Sequence, residues 1–464
     1  IDRRILPNDI ARLSVELPVV KDCRDEDYVV MEVNKAMLEL RRNGGGPVHI
    51  NLITTYSRDF SVKELPHMKV MRRFQAWDEL PVLPEGRIGI YVGSHTHFSE
   101  KQNRAIDRFC ATYDAVVICD HTSGYYGKYK LLPTLVQLQS DITSPFPPLD
   151  LMVHIGEISA ASFNDTIPAK EVWRVSEDGE LRDPFKKLTT VFQMSEEMFF
   201  LHYGKDGCNR HVLIDECREL FGEIYEQIPE LPFCNIWTAM QLSSRLPKGA
   251  LFHMGVSNTR RCWNMFQLPE SVESACNVGC CGIDGCVSTL VGASLVNPDR
   301  LCYVVVGDLT FFYDLNSLGN HHIGTNLRVM LVNNGRGTEF RLGIHHCNVF
   351  GDDADKYMAA AGHFGNKSPL LVKHYAEDLG FHYLSATTKE EFMTALSNFT
   401  NPQLSDHSMI LEVFTDSKDE SEALYLMSHI QSDAKGMVRS KLKDAVRNVA
   451  GEKGINAIKK ILKK

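Results

Sequence analysis

The sequence predicts an α/β fold built on parallel sheets, and three stretches carry that expectation. From Leu301 to Asn334 the chain reads strand, helix, strand. Leu301 to Val306 is a short apolar run that stops at Gly307-Asp308, Phe311 to Leu318 is a compact helical pattern, and Arg328 to Val332 is a second apolar run that stops at Asn333-Asn334. Ile88 to Val92, Glu100 to Tyr113 and Ala115 to Cys119 repeat the same order. Earlier still, residues 26–42 place Val30, Val33, Met37 and Leu40 at spacings of three and four. Gly44-Gly45-Gly46-Pro47 ends that helix before a strand, Val48 to Leu52. Strands separated by helices point to parallel crossovers rather than hairpins.

At 464 residues the chain exceeds one compact core, so two or three domains are expected. A net charge of −9 argues against a general nucleic-acid binder, which would carry a basic surface. No run approaches the length of an apolar membrane span, and no secretory leader is visible. The thirteen cysteines are scattered and odd in number, so reduced thiols and a cytoplasmic location are expected. Three glycosylation sequons, at Asn164, Asn366 and Asn398, read as chance matches.

The first residue is Ile1 rather than Met, which suggests a fragment or processed product. Residues 1–60 hold the helix and strand described above. Residues 61–85 are polar, Pro-punctuated and without period, and read as a linker. A second αβ domain, 86–204, opens with Ile88 to Val92 and continues through Leu149 to His154 and Val172 to Val175. Gly93-Ser94-His95 follows its first strand as a weak phosphate-loop candidate, without the spaced glycines of a dinucleotide fingerprint. Residues 205–230 read as a mostly helical connection, and 231–430 as a third domain. In the third, Leu251 to Met254 is a strand, a small-residue helix runs to Ala293, residues 353–361 and 369–379 look helical, and Met409 to Phe414 is a closing strand. Residues 431–464 carry ten Lys/Arg against three Asp/Glu, with Leu442, Val446 and Val449 at helical spacing. A solvated basic helix is favoured there over a membrane-surface one.

In a right-handed βαβ unit both strands end at one edge of the sheet, where ligands usually sit. Asp308 and Asn334 then project side by side, a carboxylate and an amide oxygen suited to a hard divalent cation that keeps phosphate oxygens as further ligands. Either dipeptide alone is an ordinary turn. Gly-Asp followed about twenty-five residues later by Asn-Asn resembles the signature of the thiamine-diphosphate enzyme family. Further residues sharpen the resemblance toward the menaquinone-biosynthesis branch, the 2-succinyl-5-enolpyruvyl-6-hydroxy-3-cyclohexene-1-carboxylate synthases. They are Ser257-x-x-x-Arg261, Gly282-Ile-Asp-Gly285, Gly307-Asp-Leu-x-x-x-Tyr-Asp-Leu-Asn316, and Val332-Asn-Asn334 with Phe340 beyond.

The resemblance implies a thiamine-diphosphate-binding fold with a Rossmann-like central domain. Residues 1–60 would be the end of a pyrimidine-binding domain, and 231–430 the diphosphate-binding domain. It implies thiamine diphosphate and Mg²⁺ as cofactors, with Asp308, Asn334 and the backbone carbonyl of Arg336 on the metal. Cys281, Gly282, Ile283, Gly307, Leu309 and Thr310 would line the cofactor. Leu309 and Thr310 open a helix whose free N–H groups can hold diphosphate oxygens, a reading compatible with Thr310 as a plain cap. Ile283 matches the apolar wedge that folds the cofactor, although an Ile between two glycines is also an ordinary packing residue.

Ser257 and Arg261 match positions that hold a substrate carboxylate, for which the planar guanidinium fork is suited; a surface arginine is the alternative. Two departures stand out. Val278 occupies the place of a second carboxylate-binding arginine, and Glu339 stands where an apolar residue is expected, so the anion this site can hold is altered. The cluster Cys276, Cys280, Cys281 and Cys286 lacks zinc-ligand spacing and reads as small buried residues. His321-His322 and His345-His346 read as loop and cap histidines, with a substrate contact open for the second pair.

The implied activity is carbon–carbon bond chemistry on a 2-oxo acid, decarboxylating it and transferring the fragment to an acceptor. A simple 2-oxo acid decarboxylase, an acetolactate-synthase-like carboligase and a non-catalytic homologue are the alternatives. The family's catalytic Glu would come from sequence upstream of Ile1, usually on a neighbouring subunit. A homodimer or tetramer with the active site at the subunit interface is therefore expected, with weak cofactor binding and poor turnover by these residues alone.

Overall fold

A computed structural model describes residues 4–56, 61–64, 67–142, 146–157, 167–279, 282–343, 345–358, 360, 362–363, 365 and 367–433. The basic stretch 434–464 and the sequon at Asn164 lie outside the described residues.

Among the described residues the named strands pair in parallel, in three sheets. The first holds β1 (Leu13–Leu17) and β2 (Val48–Leu52), joined by the helix Cys23–Glu39. Asp22 caps that helix by accepting from the N–H groups of Arg24 and Asp25. Only Val15, Leu17 and Ala36 form its buried cluster, and Met37 and Leu52 stand 55% and 64% exposed. So small a core leaves this unit with an apolar surface of the kind that partners cover.

The second sheet contains β3 (Arg72–Gln75), β4 (Ile88–Val92), β5 (Val116–Ile118), β6 (Lys130–Leu131), β7 (Leu149–Ile155), β8 (Ala169–Val175) and β9 (Leu188–Gln193). Their order is β3-β9-β8-β7-β4-β5-β6. The stretch 61–85, expected to be a structureless linker, thus supplies an edge strand, β3, which pairs with β9 from Arg72↔Thr190 to Gln75↔Gln193. Four residues with two arginines carry too little apolar pattern to announce a strand.

The phosphate-loop candidate after β4 is also corrected. Gly93, Ser94 and His95 spend their backbone N–H groups on the carbonyls of Ile155, Glu157 and Thr122. A Cβ at Gly93 would lie 2.4 Å from the Glu157 carbonyl oxygen, so this glycine serves close approach to the next loop.

The third sheet, of six strands, positions the candidate site. It contains β10 (Leu251–Met254), β11 (Glu273–Cys276), β12 (Cys302–Gly307), β13 (Leu327–Asn333), β14 (His382–Ala386) and β15 (Met409–Phe414), in the order β11-β10-β12-β13-β15-β14. Apolar residues of β12 and β13 alternate between two cores. Tyr303, Val305, Met330 and Val332 join one, while Val304, Val306, Val329 and Leu331 join the other. Burial on both faces explains the near-continuous apolar runs in the sequence.

Of residues 353–361, expected to be helical, 353–357 end a 3-10 stretch, His346–Tyr357, broken at Gly351 with φ +50°, and 359 and 361 lie outside the described residues. The helix expected over 369–379 spans Leu371–Asp378. Eleven described cysteines are free thiols, and no helix among the described residues is long and apolar enough to cross a membrane.

The helix Ser417–Ser428 after β15 buries an acid. Glu420, 1% exposed, accepts from the Asn235 N–H at 3.0 Å and the Thr415 hydroxyl at 2.9 Å. Burial pushes its carboxyl up to about 7 from an ordinary 4.5, against the pull of those two hydrogen bonds. The folded protein therefore keeps this proton to higher pH than the unfolded chain. The stability this confers is complete below about 4.5 and is lost as pH rises to about 7. Glu420→Gln is expected to flatten that decline and to leave the chain more stable than wild type above pH 7, as read by urea denaturation at several pH values.

Candidate functional site

Four consecutive neighbours in the six-stranded sheet, β11, β10, β12 and β13, all deliver their outgoing loops to the same edge. Gly307 pairs with Val332, so Asp308 leaves β12 level with the Asn333-Asn334 pair. Gly307 is extended, with φ −76° and ψ 166°, and hands over to the helix Asp308–Asp314.

Asp308 is only 2% exposed. Its Oδ1 accepts from the Leu309 N–H at 2.8 Å, and its Oδ2 lies 2.9 Å from His363 Nε2. His363 Nδ1 accepts from the Gly365 N–H at 3.0 Å, so Nε2 carries the proton given to Asp308. Phe312 packs on the same imidazole, with ring centres 4.8 Å apart. The sequence offered no signal for His363, because its partner is 55 residues away.

The two asparagines ending β13 point to different surroundings, as successive strand residues must. Asn333 donates through Nδ2 to Glu412 Oε1 at 2.7 Å, behind the edge. Asn334 keeps its Oδ1 buried with no hydrogen-bond partner among the described residues. Such a group costs about 1–3 kcal/mol unless something satisfies it. Gly335 then turns the chain at φ +80°, and Gly337 donates its N–H to the Ala360 carbonyl at 2.8 Å. Arg336 lies between them, its guanidinium 3.8 Å from Asp355. A Cβ at Gly337 would come within 2.9 Å of Leu309, so the turn after Asn334 passes directly over the helix that Asp308 opens.

Leu309 is half-buried and Thr310 is 5% exposed. The Leu309 N–H is engaged by Asp308 itself, so it points at that carboxylate rather than standing open. Gly282 and Ile283 lie in a bend that enters the helix Cys286–Val296 through Gly285, whose φ of +79° suits glycine. Ser288, in the first turn of that helix, donates its N–H to Asp314 at 2.7 Å, which ties this bend to the helix carrying Asp308. Ile283 is half-buried. Cys281, with Cys280, lies outside the described residues.

Ser257 ends the turn after β10 at φ +61° and ψ −120°, a strained backbone for a residue with a side chain. Four residues on, Arg261 meets Glu339 through both ends of its fork, Nη1 to Oε2 at 2.9 Å and Nη2 to Oε1 at 2.7 Å. Burial would lower the arginine's pKa, but the Glu339 carboxylate outweighs it and raises it. The predicted carboxylate-holding arginine is thus already paired. Val278, where a second arginine was looked for, is buried.

His345 takes the cap role, its Nδ1 accepting from the Cys347 N–H at 3.1 Å, with its ring against Phe340. His321 and His322 lie against each other at a tilt of 39° in an exposed loop. No group of three or more His, Cys, Asp or Glu side chains among the described residues is arranged to hold a metal. The donors gathered at this edge are one carboxylate and one amide.

The chain is similar to proteins of known function. Over 443 residues the chain is 28% identical to the 2-succinyl-5-enolpyruvyl-6-hydroxy-3-cyclohexene-1-carboxylate synthase of Bacteroides thetaiotaomicron, covering 89% of this chain and 76% of that protein. The synthase of the same name from Bacteroides fragilis is 29% identical over 448 residues, with the same coverage of each. The chain is a relative of these synthases. A third, from Christiangramia forsetii, is 33% identical over 199 residues, which cover 43% of this chain and 33% of that one. No protein-family model matches.

Proposed function

We propose that the chain is a thiamine-diphosphate- and Mg²⁺-dependent transferase of the kind its relatives' names describe. It decarboxylates a 2-oxo acid and passes the fragment to an acceptor. One observation carries the reading beyond kinship: the buried, unpartnered Asn334 Oδ1 stands at the sheet edge where Asp308 brings its buried carboxylate. A carboxylate and an amide oxygen suit a hard, oxygen-seeking cation such as Mg²⁺, the nearby His363 imidazole being engaged as a donor to Asp308. The residues present therefore fit the implied group. Asp308, Asn334 and the Arg336 carbonyl are the ligands proposed, with diphosphate oxygens completing the set.

Held there, thiamine diphosphate would supply the nucleophilic and electron-accepting chemistry that decarboxylation of a 2-oxo acid needs. The chain's own residues position and shield. Gly282 and Ile283, in the loop after β11, would hold the cofactor together with Cys281, and Gly307, Leu309 and Thr310 would hold its phosphate end. His363 holds the Asp308 carboxylate in place through its Nε2–H. Ser257 and Arg261 face the substrate from the loop after β10. The apolar surface of the small N-terminal unit supports a homo-oligomer, with the proton-transferring Glu supplied at a subunit interface.

The test is a screen of 2-oxo acids with thiamine diphosphate and Mg²⁺, following CO₂ release and the ligated product. The synthase reading expects 2-oxoglutarate with isochorismate to give the product named for the relatives. Turnover confined to another 2-oxo acid, or to pyruvate with acetolactate formation, rejects that substrate pair and keeps the cofactor class.

A further inference from the structure

The Arg261–Glu339 pair carries an inference of its own, resting on the cofactor edge proposed above. Arg261 sits in the short helix Asn258–Trp263 after β10, and Glu339 in the 3-10 turn Thr338–Arg341, five residues beyond Asn334. Both loops leave the same sheet edge as Asp308. The side chains are 12% and 25% exposed, so the pair is withdrawn from water yet reachable. Its geometry is two parallel N–H···O bonds, the arrangement by which a guanidinium holds any carboxylate. The fork is therefore a carboxylate seat, occupied by a carboxylate of the chain itself.

Among the described residues of the neighbouring loop, Val278 stands buried and apolar where a second cation could have relieved this. The other arginine of the turn, Arg260, lies 3.8 Å from Asp120. An incoming anion reaching Arg261 meets a site whose local charge is already balanced, and it must push Glu339 aside against like-charge repulsion. We propose that Glu339 is a specificity-determining residue that competes with a substrate carboxylate for the Arg261 fork. The chain thereby holds an anionic group at this seat more weakly than an unpaired Arg261 fork would. Removing the competing charge converts the seat into a carboxylate-binding one.

The experiment titrates succinate, and its uncharged counterpart succinamide, into the full chain by calorimetry, with and without thiamine diphosphate and Mg²⁺. Glu339→Gln is expected to bind succinate about tenfold or more tighter than wild type, with succinamide unchanged. In Arg261→Met/Glu339→Gln the gain disappears. Thermal melts verify the fold; should Glu339→Gln not fold, Glu339→Asp, with its shorter reach, is expected to show a smaller gain of the same sign. No gain, an equal gain for succinamide, or a gain that survives loss of Arg261 overturns the proposal. Cofactor affinity is read in the same titrations. A succinate gain in a chain that binds no thiamine diphosphate overturns the cofactor reading and leaves this one standing.

Discussion

Asp308→Ala is expected to weaken thiamine diphosphate binding in Mg²⁺ by about 10²-fold or more, since loss of even an outer-shell partner typically costs 10–100-fold in metal affinity. The carboxylate is 2% exposed and is aimed by the Leu309 N–H and His363 Nε2–H, so no neighbouring acid replaces it. Its removal also leaves the half-buried His363 donor without its partner, at a cost of up to about 1 kcal/mol of stability. Calorimetric titration measures the first effect and urea unfolding without cofactor the second. Asp308→Asn separates them, because an amide oxygen can still accept from His363 while the charge is gone. Full cofactor affinity in Asp308→Asn would remove this carboxylate from the metal site.

Asn334→Ala is expected to behave in the opposite way toward stability. Asn334 Oδ1 is buried and unpartnered, so deleting it takes away a desolvation cost rather than a bond. The variant without ligand should melt at the wild-type temperature or above it. Wild type should gain about 2.7 kcal/mol at cofactor concentrations a hundred times the dissociation constant. The variant should lose most of that gain. Stability given up at one side chain and recovered only on binding is the signature of a ligand site. Melting curves with and without thiamine diphosphate and Mg²⁺ read both halves. A variant destabilised without ligand, with an unchanged cofactor shift, would make Asn334 a structural residue.

The parallel sheets were legible because buried strands write themselves as apolar runs ended by turn residues. Leu301–Val306 and Arg328–Val332 are read from sequence within a residue or so of β12 and β13. β3 was not legible, since an edge strand of two arginines, a phenylalanine and a glutamine buries too little to show a period. β14, His382–Ala386, is half-exposed at the opposite edge of its sheet and escaped for the same reason.

The strand-end positions of Asp308 and Asn334 were legible from the apolar runs before them, and their proposed ligand roles came from the family resemblance. His363 could not, because its role is set by a contact across 55 residues and through a turn that carries no pattern. Glu339 was visible as an odd acid. That it closes on Arg261 depends on how the loops after β10 and β13 meet, which no local spacing encodes.

The most direct test of the cofactor edge is a calorimetric titration of the full chain with thiamine diphosphate, in Mg²⁺ and again in EDTA. Saturable one-site binding that disappears in EDTA, and that weakens together with Asp308 and Asn334 substitutions, is the result predicted. Binding of equal strength in EDTA, or none in Mg²⁺ at millimolar cofactor, would contradict it.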